Sequence, residues 1–416
     1  MTNLDAIREI QARRDRELRG NLAADRGVQK AVEKYDQRAS GYGFRHRRSL
    51  LADSIRLNRR MAPHVSEALA ECRERLGFDR PVEIFLRPDP SYNAFCSRGR
   101  TGPLIVAFSS RLVEDFTPAE LRFVLGHELG HATYDHFGIP MPITATIEDI
   151  GGTLVSRAIQ LRLFVWCRAA EVSADRAGLI CAGDPEVGAT AFFKLSSGMS
   201  KPLITADLEA FAAQIESMAS APSATVDTRD DDDTLDCFST HPYTPVRVRA
   251  LLAFGRSSAF RKIASSTSDG ISLDEVEQIV ERDLALMEPS YLEGRGPESE
   301  RLRRALYCAG VSVAAAHSGI VPEELAALRA LLGPKQAKEP DDVDKLKTEL
   351  ETILTELTTQ SLAHRAQLVQ HLTVIAGADG SVAEEEYAEM ARIAERLGVP
   401  AQIIDQTLAG AASPMD

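Results

Sequence analysis

The segment LGHELGHATYDH, residues 125–136, contains two histidines spaced to bind one metal ion. His127 and His131 are four residues apart, and a helix turns once in about 3.6 residues, so both imidazoles would lie on one face. In an H-E-x-x-H helix, zinc binds the two histidines, and the glutamate, here Glu128, accepts a proton from a zinc-activated water. Histidines that meet helical spacing without binding metal are the alternative, so a third ligand is needed.

The segment CRAAEVSADRAG, residues 167–178, offers that third ligand. A catalytic zinc needs three protein ligands and one open position. Glu171 lies in an apolar stretch where an unpaired carboxylate would be unfavourable to bury, which predicts a metal partner; a solvated helix glutamate is the alternative. Asp175, four residues later on the same face, would accept a hydrogen bond from a ligating histidine and fix its ring. His136 is expected on the wrong face to be a ligand.

The metal motif is predicted on a helix that directly follows a small sheet. Thr117 is the expected N-cap, Pro118 suits the first helical position, and Glu120 completes a capping box. Short apolar runs predict strands at 82–87 and 103–108. The buried stripe of the helix is expected to comprise Leu121, Val124, Leu125 and Leu129.

Composition favours a globular protein of two or three domains. The 416 residues are 44% apolar and 26% charged, and the net charge of −13 argues against nucleic-acid binding. The six cysteines are scattered without a C-x-x-C pair, which indicates free thiols in a reducing compartment. Without a signal sequence or a long uninterrupted apolar stretch, a soluble, cytoplasmic protein with no membrane span is expected.

Two segments are expected to lie outside any core. The pattern of residues 1–47 predicts a polar helical arm. Its basic side chains are expected to pair with neighbouring acidic side chains, with contact to an acidic partner as the alternative. Residues 220–236, with four consecutive aspartates, predict a mobile loop, with a calcium site as the weaker alternative. Long helices are expected over 145–182 and within 184–220.

Four segments in order, NAFC, ELRFVLGHELGH, WCRAAEVSADRAG and STHPYTPVRVRAL, resemble the M48 family of zinc peptidases, which are gluzincins of the HtpX type. The resemblance covers roughly residues 50–255. It implies a zincin-like peptidase domain that binds one Zn²⁺ per chain through His127, His131 and Glu171. Glu128 would be the general base, and Asp175 would support a ligating histidine.

The same resemblance implies two groups of residues that contact the substrate. His241 and Arg247 would help to hold the substrate carbonyl or the oxyanion; from the residues alone, a His-Pro turn and an arginine paired with the acidic loop are alternatives. An extended protein or peptide substrate would pair with the strand edge formed by Asn93, Ala94 and Phe95.

The C-terminal residues are expected to be all helical. Two similar stretches, 318–333 and 379–398, indicate a duplicated helical hairpin, and the second resembles the TerB-like domain of tellurite-resistance and stress operons. This implies an adaptor or regulatory module with a protein partner. Acidic residues on such turns are linked to metal binding in that family, which points to Asp379 and Glu386; a solvated helix N-cap is the alternative.

The expected fold class is α+β, mainly α: a zincin-like peptidase domain with a small antiparallel sheet, followed by an all-α domain. The favoured function is a zinc-dependent endopeptidase regulated by its arm, acidic loop or C-terminal domain. Alternatives are a latent zincin that acts as a stress-related scaffold and a hydrolase of non-peptide amides. Cys96 is expected as a small thiol, with a zinc-binding thiolate as the alternative. The expected boundaries are 1–47 for the arm, 48–258 for the peptidase domain, 259–299 for a connection and 300–416 for the TerB-like domain.

Overall fold

The computed structural model describes most of the chain. The chain forms two compact units, the first including the described parts of Met1–Met141, Trp166–Ala219 and His241–Leu284, and the second including those of Ala285–Asp416. The sequence-based domain boundaries stay a prediction. The described residues are 3–25, 28–30, 32–33, 46–98, 102–139, 157–199, 207–220, 239–265, 267–287, 297–332, 336–360, 362–379 and 381–410.

A four-stranded sheet lies in the first unit, in the order β1-β2-β4-β3. The strands are β1 (Ile55–Arg56), β2 (Val82–Arg87), β3 (Ala94–Arg98) and β4 (Leu104–Ser109). The α+β, mainly helical class is confirmed, but the sheet is mixed and not antiparallel, since β2 and β4 run parallel. The reason is that β4, whose residues are all buried, takes a central position, and β3 pairs antiparallel on its far side.

Helices form most of the described residues up to Leu284. They are α1 (Asn3–Glu9), α2 (Arg13–Ala23), α3 (Pro63–Leu76), α4 (Ser110–Asp115), α5 (Pro118–Thr133), α6 (Arg157–Ala182), α7 (Pro185–Ser197), α8 (Leu208–Ala212), α9 (Gln214–Ser220), α10 (Thr244–Gly255), α11 (Ser258–Ala264) and α12 (Leu273–Leu284). The helix predicted over 145–182 is described from Arg157 onward. The described residues of the stretch predicted within 184–220 form three helices, α7 to α9. The acidic loop lies outside the described residues.

Helix α5 begins as its sequence predicts. The Thr117 hydroxyl accepts a hydrogen bond from the Glu120 backbone N–H, and the Glu120 carboxylate accepts one from the Thr117 N–H at 2.7 Å. This capping box satisfies two N–H groups that the first helical turn leaves without partners. The predicted apolar stripe is buried, namely Leu121, Val124, Leu125 and Leu129.

The N-terminal segment differs from the expectation of an arm outside the core. Four apolar side chains of residues 3–25 are almost fully buried, namely Ile7, Ile10, Leu18 and Leu22. Asp15, on the same face of α2 as Leu18, is also fully buried. The Tyr134 hydroxyl, just beyond α5, donates a hydrogen bond to the Ile7 carbonyl at 3.1 Å. The segment therefore packs against the element that carries the histidines.

Helices α5 and α6 approach closely at three glycines, Gly126 and Gly130 of α5 and Gly178 of α6. A methyl group at Gly126 would lie 2.6 Å from the Cys181 side chain, and one at Gly130 would lie 2.8 Å from Cβ of Ala177. Side chains larger than hydrogen at these two positions would force the helices apart. This contact sets the distance between the histidines of α5 and Glu171 of α6.

The described residues of the second unit from 297 to 410 form helices joined by short connections, and none of them lies in a strand. Its helices are α13 (Pro297–His317), α14 (Pro322–Leu332), α15 (Val343–Leu357), α16 (Leu362–Ala376), α17 (Glu384–Arg396) and α18 (Gln402–Gly410). Their apolar faces form one continuous buried core. Helices α14 and α17 begin in the same way, because Glu324 accepts from the Val321 N–H at 3.0 Å and Glu386 from the Ala383 N–H at 2.8 Å. These bonds favour a capping role for Glu386. The side chain of Asp379 lies outside the description.

The glycine contact predicts the effect of one added methyl group. Gly130→Ala should lower the free energy of unfolding by about 1–3 kcal/mol, because the methyl group overlaps Ala177. Urea unfolding followed by circular dichroism measures the change. Gly20→Ala is the matched control, since Gly20 is exposed on α2 with no atom within 4 Å of the added carbon. The control should be neutral or stabilising. Unchanged stability of Gly130→Ala would contradict the close helix contact.

Candidate metal centre

Three side chains bring metal-binding atoms to one point between α5 and α6. His127 and His131 project from α5, and Glu171 projects from α6, with one ligand atom of each within 4.8 Å of the others. The two Nε2 atoms are 3.2 Å apart, and the Glu171 oxygens lie 3.5 Å from His127 Nε2 and 3.4 Å from His131 Nε2. Atoms bound to zinc at about 2.0 Å in a tetrahedron lie about 3.3 Å apart, so the group fits zinc.

Glu171 is a buried carboxylate surrounded by cationic or ionisable groups. Burial alone would raise the pKa of Glu171, but the charges of His241, Arg247 and His127 lower it well below its usual value. Its Oε2 atom is buried and accepts no hydrogen bond from the described residues, although the Arg247 guanidinium lies 3.1 Å away. The guanidinium offsets the charge of this buried oxygen, and a metal bound by His127 and His131 would offset it further.

His127 is held from its outer side by a carboxylate. Its Nδ1 lies 2.8 Å from Asp175 Oδ1, so an Nδ1–H donates there and leaves the Nε2 lone pair free. Burial would lower the pKa of His127, but Glu171 and Asp175 raise it overall. Arg247 of α10 binds the same aspartate through two nitrogens, Nε at 2.9 Å and Nη2 at 2.7 Å. Its guanidinium also lies over the Phe192 ring, 4.5 Å from the centroid.

His131 is held from its outer side by another histidine. His131 Nδ1 lies 2.9 Å from His136 Nδ1, and His136 Nε2 lies 3.0 Å from Asp15 Oδ2. The chain reverses just beyond α5 because Asp135 adopts a left-handed conformation with φ of 56°, which turns His136 back toward His131. His136 therefore contacts His131 on the side away from Glu171 and, among the described residues, is not part of the group of metal-binding atoms.

Glu128 lies beside β3. Its carboxylate and burial together raise the pKa of the Cys96 thiol well above the usual value, burial being the larger cause. Side chains alternate along a strand, so Ala94 and Cys96 face α5, whereas Phe95 packs into the apolar cluster on the other side of the sheet. Among the described residues, Cys96 is not part of the group of metal-binding atoms.

The remaining predicted residues are placed as follows. His241 is about half exposed, with Nε2 at 3.6 Å from Glu171 Oε1. Asn93 precedes β3, and its carbonyl accepts from the Ser109 N–H at 2.9 Å. Arg247 differs from the position implied for an oxyanion contact, because its guanidinium is directed at Asp175 and Glu171.

The sequence did not indicate that Asp15 lies near the site, or that His136 supports His131. Asp15 and His136 are 121 residues apart, so no local pattern joins them. One signal was present: Asp15 occupies a position of the apolar stripe formed by Leu18 and Leu22 in α2. An acid within an apolar stripe indicates a buried polar partner.

Comparison with known proteins agrees with this geometry. The sequence profile of peptidase family M48 matches residues 59–254, which contain the group of metal-binding atoms described above. Residues 59–254 form an M48 peptidase domain. The profile of tellurite resistance protein TerB matches residues 303–408, within the helical second unit. No solved structure matches the chain significantly.

Curated relatives match about half of the chain. The plastoglobule-localized metallopeptidase 48 of Arabidopsis thaliana is 28% identical over 219 residues, covering 51% of this chain and 63% of the relative. A protease HtpX homolog of Paraburkholderia phytofirmans is 25% identical over 236 residues, covering 48% of this chain and 76% of the relative. This chain thus spans less than two thirds of the length of the Arabidopsis relative. Among the described residues, no helix combines the length and apolar character that crossing a bilayer requires.

The contact between His127 and Asp175 predicts a loss of metal affinity in the M48 domain. Asp175→Asn keeps the shape of the side chain but removes the charge that orients the imidazole. Zinc affinity should fall about 10–100-fold, measured by competition with a chromophoric chelator. Asp79→Asn, which alters an exposed carboxylate, is the control and should bind zinc like the wild type. Equal affinity of all three proteins would remove Asp175 from the centre.

Proposed function

We propose that the protein is a zinc-dependent endopeptidase that hydrolyses peptide bonds with Glu128 as the general base. One observation carries the proposal: the donor atoms of His127, His131 and Glu171 lie at the spacing of a tetrahedral zinc site, within an M48 peptidase domain. The names of the relatives, a metallopeptidase and a protease, support the same reaction class.

The residues divide the reaction between them. Zinc, when bound, supplies the Lewis acidity that activates a water molecule and polarises the peptide carbonyl. Glu128, one residue after a ligating histidine, accepts a proton from the attacking water and passes it to the leaving amine nitrogen as the C–N bond breaks. Its location between α5 and β3 places this carboxylate beside the strand proposed to hold the substrate.

The substrate proposed is an extended peptide segment paired with β3. In the described sheet, β3 is an edge strand, so its outer N–H and C=O groups have no strand partner there. Of the three predicted residues, Ala94 would supply these bonds with its main chain. The Asn93 carbonyl accepts from the Ser109 N–H and the Asn93 N–H donates to the Ser109 hydroxyl, and the alternation of an antiparallel pair directs the Phe95 main chain at β4 as well. The Phe95 side chain is engaged with the opposite face of the sheet and would not contact the peptide.

His241 and Arg247 are proposed to act in different ways. His241 is half exposed beside Glu171, so its imidazole is accessible to a substrate carbonyl or an oxyanion. Arg247 is bound on two sides by Asp175 and Glu171, which supports a positioning role. It offsets the charge of the two buried carboxylates and thereby stabilises the ligand arrangement.

Removing the proposed base separates metal binding from catalysis. Glu128→Gln should bind zinc with the wild-type stoichiometry of one per chain, yet cleave casein or a peptide library about 10²–10⁴-fold more slowly. Metal analysis and mass spectrometry of the products measure both properties on one preparation. Glu67→Gln, an exposed change on α3, is the matched control and should cleave normally.

Three other outcomes have defined meanings. Undiminished cleavage by Glu128→Gln would contradict its role as the base. Loss of zinc from that variant would mean that Glu128 holds the metal site. A wild-type protein that binds zinc but cleaves no substrate would contradict the peptidase proposal and favour the latent scaffold, acting through the TerB domain.

A further inference from the structure

A buried chain of hydrogen bonds connects the N-terminal helix α2 to one of the proposed metal ligands. His131 Nδ1 is 2.9 Å from His136 Nδ1, and His136 Nε2 is 3.0 Å from Asp15 Oδ2. Asp15 and His136 are both fully buried. The aspartate approaches His131 from the Nδ1 side, opposite the Nε2 atom that faces Glu171.

Asp15 is fixed as a hydrogen-bond acceptor at both oxygens. Its Oδ1 accepts from the indole N–H of Trp166 at 2.9 Å, and an indole nitrogen only donates. Its Oδ2 accepts from the Ser173 hydroxyl at 2.6 Å and from the Gln11 amide at 2.8 Å. Ser173 in turn accepts from the Ala12 N–H at 3.0 Å, so its hydroxyl hydrogen is directed to the carboxylate.

The charge of Asp15 agrees with this pattern. Burial alone would raise the pKa of Asp15, but its contacts with His136, Ser173 and Gln11 lower it to about 2. Asp15 is therefore an ionised acceptor surrounded by donors. Such an arrangement needs every donor to stabilise the buried charge.

The direction of the hydrogen bonds matches the tautomer that a metal ligand needs. A histidine that binds metal through Nε2 carries its hydrogen on Nδ1, so His131 donates to His136 Nδ1. His136 then carries its hydrogen on Nε2 and donates it to Asp15. The Asp15 carboxylate thus orients His136 so that its Nδ1 accepts from His131. His131 then carries its hydrogen on Nδ1, and its Nε2 lone pair is free on the side that faces Glu171.

We propose that Asp15 is a positioning residue of the metal centre, acting on His131 through His136, and that helix α2 is a structural part of that centre. The inference rests on the metal binding within the proposed function, not on peptide cleavage. It assigns the N-terminal segment a role opposite to that of an inhibitory arm. An acidic side chain thus supports each imidazole from its outer side, Asp175 by direct contact with His127 and Asp15 through His136.

The test compares two buried carboxylates that both stabilise the N-terminal segment. Asp15→Asn keeps the size of the side chain but places an amide donor among donors. Glu277→Gln is the matched control, because Glu277 is buried and accepts at 2.7 Å from Arg176, which also donates to the Ile10 carbonyl. Both variants should unfold at a lower temperature in calorimetry of the zinc-free full-length protein. Only Asp15→Asn should bind zinc more weakly, about 10–100-fold, in chelator competition below both unfolding temperatures.

A second pair of variants keeps the inference testable if Asp15→Asn does not fold. His136→Asn retains an acceptor near the Nδ1 position, whereas His136→Ala removes it. His136→Asn should bind zinc more tightly than His136→Ala, a difference that a purely structural role would not produce. ¹⁵N NMR of the imidazoles in the zinc-free wild type should show hydrogen on Nδ1 of His131.

Equal zinc affinity of the wild type, Asp15→Asn and Glu277→Gln would overturn the inference, as would equal affinity of the two His136 variants. These measurements need no substrate. A wild-type protein that binds zinc without cleaving peptides would therefore contradict the proposed activity, but the zinc affinities of the variants would still test the role of Asp15. A wild-type protein that binds no zinc would contradict both.

Discussion

The burial of the Glu171 carboxylate is the constraint on which the rest of the site depends. A single anion placed in an apolar helix is unfavourable unless positive or hydrogen-bonding groups surround it. His127 and His131 approach from α5, and Arg247 approaches from α10. Helices α5 and α6 meet this requirement because three glycines let them approach closely. The arrangement of charged groups around Glu171 thus depends on the close contact between helices α5 and α6.

The two imidazoles of α5 direct their Nε2 atoms toward Glu171 by different means. Asp175 lies on the same helix as Glu171, so one element supplies both a ligand and a support. The support for His131 comes from distant segments. The left-handed conformation of Asp135, after α5, turns His136 back toward His131, and α2 supplies Asp15. Geometry that depends on both ends of the domain ties metal binding to complete folding.

Features that depend on neighbouring residues were predictable from the sequence. The capping box at Thr117, strands β2 and β4, and the H-E-x-x-H face each involve residues only a few positions apart. The parallel pairing of β2 with β4 was not predictable, because sequence patterns do not fix which strands become neighbours. The buried face of α2 was likewise not predictable, because most of its residues are polar and Asp15 takes one of the buried positions beside Leu18 and Leu22. Whether His127, His131 and Glu171 bind zinc stays a prediction that the geometry supports.

The central claim is that one zinc ion is bound by two imidazoles and one carboxylate. X-ray absorption spectroscopy at the zinc edge of the loaded full-length protein tests it most directly. The account predicts nitrogen and oxygen neighbours at about 2.0–2.1 Å, with the outer-shell scattering of two imidazole rings. A sulfur neighbour at about 2.3 Å, as Cys96 would give, or the scattering of a single imidazole would contradict it.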